Sequence, residues 1–154
     1  MERVANYPRP PALVASPAHV VVEALGRRLA DSHRSLLVLE TFHPPTVYLP
    51  PEALQLELLE AVPGRSYCEW KGLATYVDVV LGERRLRRAG WTYTDPTPAF
   101  RPLAGWFSFY PALMDACSID GERVTPQPGG FYGGWITSRV CGPFKGDPLH
   151  PELI

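Results

Sequence analysis

Two lysines are the residues of this chain whose chemistry is hardest to replace. Its fifteen basic residues divide into thirteen arginines and only Lys71 and Lys145. Both lysines sit in the same context, aromatic-Lys-Gly: Trp70-Lys71-Gly72 and Phe144-Lys145-Gly146, each shortly after a cysteine. Arginine would supply the same formal charge, so the amine itself is the distinguishing feature. A desolvated lysine can lose its proton and act as a base or Schiff-base nucleophile, whereas a guanidinium stays charged at any working pH. Lysine is also a compact point charge for a carboxylate or phosphate. The following glycine would let backbone approach a ligand, and the preceding ring would supply an apolar wall that strengthens local electrostatics. The plainer reading is that both amines snorkel over neighbouring rings.

Trp70, Tyr76, Trp91, Tyr93, Trp106, Tyr110, Tyr132 and Trp135 crowd the chain from its middle onward. Rings at alternate strand positions, such as Trp91 and Tyr93, share a face and commonly form core. Indole and phenol tips need polar partners, so several of them beside lysine and glycine can instead line a pocket for a flat or cationic ligand. Cys68 is the thiol nearest this group. A neighbouring ammonium would make it a candidate redox nucleophile, against the commoner role of a buried hydrophobe.

The elements that position these residues read as one mainly β domain. At 154 residues the chain suits a single core, and its 18 prolines and 13 glycines imply many short elements between turns. Residues 1–17 read as an extended N-terminal arm and 18–154 as the domain, with a Gly-, Pro- and aromatic-rich tail from about 126 that drapes over the sheet. His19–Glu23 and Arg28–Ser32 read as a hairpin closed by Leu25-Gly26. Leu36–Glu40 and Val47–Leu49 read as strands interrupted by His43-Pro44-Pro45. Alternation recurs in Gln55–Glu60, Thr75–Leu81, Gly90–Thr94 and Trp106–Tyr110, and Asp120-Gly121 marks a tight turn within Ser118–Thr125. Pro50–Leu54 and Pro111–Ala116 are the short helical turns.

Composition excludes several classes. A net charge of -1 gives no field to draw the chain to nucleic acid or an anionic membrane. No apolar run approaches the roughly 20 residues that span a bilayer, and the N-terminus lacks the apolar core of a secretion signal, so the cytoplasm is the expected compartment. Cys68, Cys117 and Cys141 form no Cys-x-x-Cys pair and are expected as free thiols. His19, His33, His43 and His150 lack metal-ligand spacing and read as surface or turn residues, so neither a metal nor a cofactor is expected. No dinucleotide, P-loop, nucleophile-elbow or zincin motif occurs. Gly129-Gly130-Phe131-Tyr132-Gly133-Gly134 reads as a flexible loop, and Arg84-Arg85-Leu86-Arg87-Arg88 as a solvated hairpin turn rather than a nucleic-acid patch.

A set of short pieces carries a family resemblance when taken together: Ala30-Asp31-Ser32, Leu39-Glu40-Thr41, Pro44-Pro45 through Tyr48-Leu49-Pro50, and Tyr67-Cys68-Glu69-Trp70-Lys71-Gly72 with Tyr76. Trp91-Thr92-Tyr93 with Pro96, Phe109-Tyr110-Pro111, Asp120-Gly121, Phe131 through Thr137 and Gly142-Pro143-Phe144-Lys145-Gly146 complete it. The chain resembles a bacterial family known as domain of unknown function four-two-seven, over about His19 to Lys145. The resemblance implies a β-tent, two antiparallel sheets meeting at an angle, similar to methionine sulfoxide reductase B and the ligand-binding domain of cereblon. The paired cysteines that hold zinc in relatives of that fold are missing here. Family members usually continue past Lys-Gly with Gly-Pro-Gly and a further tryptophan, where this sequence has Asp147 to Ile154. A nucleotidyltransferase label attached to the family finds no paired carboxylates at metal-binding spacing and no phosphate loop in this sequence.

These readings converge on a small-molecule pocket between the sheets, walled by Trp70, Tyr76, Trp91, Tyr93, Tyr110 and Trp135. Lys71, with Gly72 beside it, and Lys145 would face an anionic or carbonyl group, with Glu40 and Asp95 as counter-charges. Two alternatives stay open. One is an enzyme using Lys71 as base or Schiff-base former, or Cys68 as nucleophile. The other is an interaction module or homodimer built on exposed rings of the tail.

Overall fold

The computed structural model describes residues 1–68 and 70–153; Glu69, one residue of the resemblance, lies outside them. The chain is mainly β, as its alternating patterns require. The described residues form five sheets, two of them four-stranded.

The first four-stranded sheet runs in the order Glu122–Arg123, Ala116–Ile119, Val20–Ala24, Arg27–Ser32, all antiparallel. Its two hairpins turn on two-residue loops, Leu25-Gly26 and Asp120-Gly121, in which all four residues have positive φ. That is the backbone twist matching the flanking strands, and glycine at the second position adopts it without steric cost. The Asp115 carboxylate accepts the Gly26 amide at 2.8 Å and so fixes the first loop.

The second sheet orders Phe107–Phe109, Arg84–Thr92, Gly72–Leu81 and Leu59–Cys68. A third, of Ala12–Ser16, Ser35–Leu39 and Thr46–Tyr48, joins it where the Leu49 and Phe107 backbones exchange bonds of 2.8 and 2.9 Å. The first core cluster includes Val20, Val22, Leu29, Val79, Phe109 and Trp135. The second joins Val38, Tyr48, Ala74, Trp91, Tyr93, Phe100 and Leu103, and carries the site.

Several expectations are corrected. The proline-rich start is extended but belongs to the fold: Ala12–Ser16 pairs along its whole length with Ser35–Leu39, and Val4 is fully buried. Gln55–Glu60 is not one strand, because the Leu58 amide bonds the Gln55 carbonyl at 3.0 Å and closes a 3-10 turn over Leu56–Leu58. Both expected helical turns occur as 3-10 segments, Pro51–Ala53 and Pro111–Leu113, and four further 3-10 segments accompany them. Arg84–Arg88 lies in the strand Arg84–Thr92, since Gly82-Glu83 already makes the turn. The tail is core as much as cover: Trp135 is 1 % exposed and its Nε1 donates to the Phe109 carbonyl at 3.2 Å. No helix among the described residues is long and apolar enough to cross a membrane.

Candidate functional site

Where the second and third sheets meet, a cleft of about 380 Å³ opens to solvent. The strands Gly72–Leu81 and Arg84–Thr92 place Tyr76 opposite Trp91 in register, and Thr46–Tyr48 brings Tyr48 in from the neighbouring sheet. Trp91 is the hinge of the wall. Its Nε1 donates to the Tyr48 hydroxyl at 3.1 Å, the Tyr48 ring stands perpendicular to it, and Tyr110 lies 4.7 Å away between ring centroids. Burial pushes the Tyr48 and Tyr93 phenols well above their ordinary range. Tyr110 is pushed up to about 12 by burial and by Tyr76 beside it. All three are therefore neutral hydroxyls at physiological pH.

Lys71 lines the cleft from the turn after Leu59–Cys68. Its position is set by backbone: the Thr97 amide donates to the Lys71 carbonyl at 3.0 Å, and the Thr97 hydroxyl donates to the Trp70 carbonyl. The ammonium lies 5.9 Å from the Tyr93 ring centroid, within the range of cation–π attraction. Cys68 and Glu40 line the same space.

His43 is the principal residue that sequence reasoning missed. It occupies a turn, as expected, but is half-buried in the cleft lining. Burial pulls its pKa below the ordinary value of 6.5, a shift that Glu40 opposes while the Lys145 and Lys71 charges reinforce it. Its protonation state follows from Gln127, which is 4 % exposed. The Gly134 amide donates to Gln127 Oε1 at 3.1 Å, so that atom is the amide oxygen. Nε2 is then a two-proton donor, giving one proton to the Lys145 carbonyl at 2.9 Å and the other to His43 Nδ1 at 3.1 Å. Nδ1 must accept, so the ring proton of neutral His43 resides on Nε2. Nε2 has no hydrogen-bond partner among the described residues, and it is not among the buried unpartnered atoms, which are Ser35 Oγ and Ser108 Oγ. A neutral N–H donor is thus open to solvent in a cleft that also holds an ammonium.

The remaining wall comes from the glycine-rich segment, expected as a flexible loop. Phe131, Tyr132 and Gly133 line the cleft. A Cβ on Gly133 would stand 2.3 Å from Trp91 Cη2, and one on Gly134 would stand 2.5 Å from Gln127 Oε1 and from Pro44. These glycines are there for close packing.

Of the sequence-predicted set, Glu40, Cys68, Lys71, Tyr76, Trp91, Tyr93 and Tyr110 come together in the cleft. Trp70, Gly72, Asp95, Trp135 and Lys145 do not line it. Trp70 packs against the second cluster with its carbonyl tied to Thr97. Gly72 has φ of 106° and serves the turn, facing the Asp95 and Thr97 backbone rather than a ligand. Asp95 is exposed beyond that turn, and Trp135 belongs to the first core. Lys145 is tied by its backbone, its amide donating to Phe42 at 2.8 Å and its carbonyl receiving Gln127, while its ammonium acts on His43 from outside the lining. Tyr48, Thr46, Ser66 and Gln127 were not anticipated as lining, and Tyr132 was named only within the wider aromatic set. Tyr48 and Pro44-Pro45 were visible in the family-like pieces, whereas His43 read only as a turn residue and Gln127 between two prolines offered no signal.

Among the described residues no three His, Cys, Asp or Glu side chains gather closely enough to hold a metal ion. Against known proteins, no curated sequence matches the chain. A family model described as Domain of unknown function (DUF427) matches residues 12–120, more than half of the chain.

Proposed function

The chain belongs to the DUF427 family, whose description assigns no reaction, and from that premise we propose that this cleft binds a small molecule carrying a ring and an anionic or carbonyl group. One observation carries the reading: Lys71 and His43, far apart in sequence, line a single space walled by Tyr76, Trp91, Tyr93 and Tyr110. The ammonium supplies a point charge and the His43 Nε2–H a directional donor, which together suit an oxygen acceptor. The rings supply a flat apolar face. Tyr67 and Phe131, 70 % and 88 % exposed, stand at the rim where a bound molecule would shield them. The cation–π contact of Lys71 with Tyr93 favours the point-charge role over a Schiff-base amine, because the ring attracts the ammonium and not the free base.

Benzoate tests this as a probe carrying one ring and one carboxylate. In an NMR titration it shifts the Trp91 indole signal saturably, and Lys71→Gln weakens binding by roughly tenfold, the scale of one charge-assisted hydrogen bond. Unchanged spectra at millimolar benzoate, or equal binding by Lys71→Gln, would refute the reading. Reaction of an aryl aldehyde in the presence of cyanoborohydride, followed by intact mass and peptide mapping, separates the enzyme alternative: selective alkylation of Lys71 would favour covalent chemistry there.

A further inference from the structure

Beyond this cleft lies a second one of about 400 Å³, reached across a shared partition of Tyr76, Tyr110, Gln127, Phe131 and Tyr132. Its one charged lining residue is Arg88, which the sequence placed in a solvated turn. We propose that Arg88 and the face of Tyr76 form an anion subsite in this second lobe, so that the ligand of the first cleft extends over the tyrosine partition and ends in another anionic group. The proposal rests on the small-molecule reading and adds the ligand's shape and second charge.

Arg88 is placed by a built feature of the sheet. Pairing between Gly72–Leu81 and Arg84–Thr92 slips between Val77 and Val79, leaving Asp78 at the irregularity. Asp78 is 4 % exposed, and its carboxylate accepts the Arg88 amide at 2.7 Å and Arg85 Nη1 at 2.7 Å. Burial alone would raise this carboxyl, yet those bonds hold it below its ordinary range, so it is ionised as an anchor. At the anchored position Arg88 takes φ of 47°, a left-handed conformation that non-glycine residues rarely adopt. Backbone held there persists only when its surroundings fix it, and the Asp78 bond to the Arg88 amide does so, with Arg85 holding the carboxylate in place.

The result is a guanidinium held over the Tyr76 ring, its central carbon 4.3 Å from the ring centroid. Tyr76 is held in turn by its hydroxyl bond to Ser66 Oγ at 2.8 Å. The guanidinium carries the planar fork of N–H donors that matches carboxylate and phosphate oxygens. No carboxylate among the described residues pairs with the Arg88 side chain, whereas Arg85, three residues earlier, is doubly paired with Asp78 and Glu60. Pro111, Leu113 and Pro126 give the lobe an apolar floor beside this one cation.

Phenyl phosphate is the probe: its ring fits the phenol partition and its phosphate the guanidinium. Binding followed by NMR and calorimetry should perturb the Arg88 Nε–H and Tyr76 signals, and Arg88→Gln should weaken it roughly tenfold or more, the scale of a lost charge-assisted contact. Lys71→Gln should change it by less than about threefold, within what remote charge alone would do. Arg88→Lys keeps the charge but not the planar fork, and intermediate affinity is expected. The backbone spectrum of each variant verifies folding, and if Arg88→Gln fails to fold, Arg88→Lys decides. Wild-type affinity in the folded Arg88 variants, or no saturable binding, overturns the subsite. Binding that depends on Lys71 and not Arg88 overturns it while leaving the first cleft's reading intact.

Discussion

At the residue scale the site turns on how a neutral amide dictates the proton of a histidine. Gln127 has an oxygen committed to Gly134 and a nitrogen committed to Lys145 and His43, so only one tautomer of His43 satisfies all three bonds. Long-range 15N NMR at pH 7 should therefore show His43 protonated at Nε2 and bare at Nδ1. In Gln127→Leu the preference is lost and the two tautomers mix, whereas a dominant Nδ1–H form in the native protein would contradict the arrangement. The pH dependence has a definite sign. Burial lowers the folded-state pKa of His43 below the ordinary 6.5, so the unfolded chain binds the proton more readily. His43 thus costs no stability above that pH and an increasing amount as pH falls below it, and urea midpoints measured from pH 8 to 5 should decline with a component that His43→Gln removes.

At the element scale, the glycine-rich segment behaves as a wall pressed against Trp91. Gly133→Ala would drive a methyl into the indole, and overpacking of this kind costs about 1–3 kcal/mol. Denaturation midpoints should fall accordingly and the Trp91 environment should change, whereas Gly130→Ala, with open space around it, should be nearly silent. Equal effects at the two positions would mean the segment is not packed. The strands themselves were legible. Thr75–Leu81, the Leu25-Gly26 hairpin and Asp120-Gly121 appear where alternation and turn chemistry put them. What failed was position within an element. Alternation in Gln55–Glu60 was outweighed by the Gln55 amide's bond to the Leu29 carbonyl and by the Leu58–Gln55 bond that closes a turn. The arginine run looked like a turn because charge signals exposure and not backbone shape.

At the scale of the whole molecule, the cleft is assembled from four separated stretches, around 40–48, 66–76, 91–110 and 127–133. The aromatic and lysine contributions could be read from residue type, since rings at alternate strand positions share a face and the lysine is one of only two in the chain. Convergence could not, because it depends on which sheet faces which. Lys145 shows the difference: it has the same tripeptide context as Lys71, yet it is outside the lining, bonds Gln127 through its carbonyl and reaches the site only through its charge on His43. Trp135 likewise resembles a pocket ring in sequence and is core in space. Because Trp135 is almost wholly buried and Gln127 ties the tail to the His43 turn, truncation before Pro126 should abolish cooperative unfolding rather than leave a smaller stable domain. Loss of a buried tryptophan alone costs about 3–5 kcal/mol, a large share of a typical domain's stability. A cooperative melt of the truncated chain would show that the tail is dispensable.

The most direct measurement is a crystal structure with benzoate bound. The cleft reading predicts its ring against Trp91 and Tyr110 and its carboxylate within hydrogen-bond reach of both Lys71 Nζ and His43 Nε2. Benzoate found only on the outer faces of the sheets, with the cleft holding solvent at saturating concentration, would contradict it.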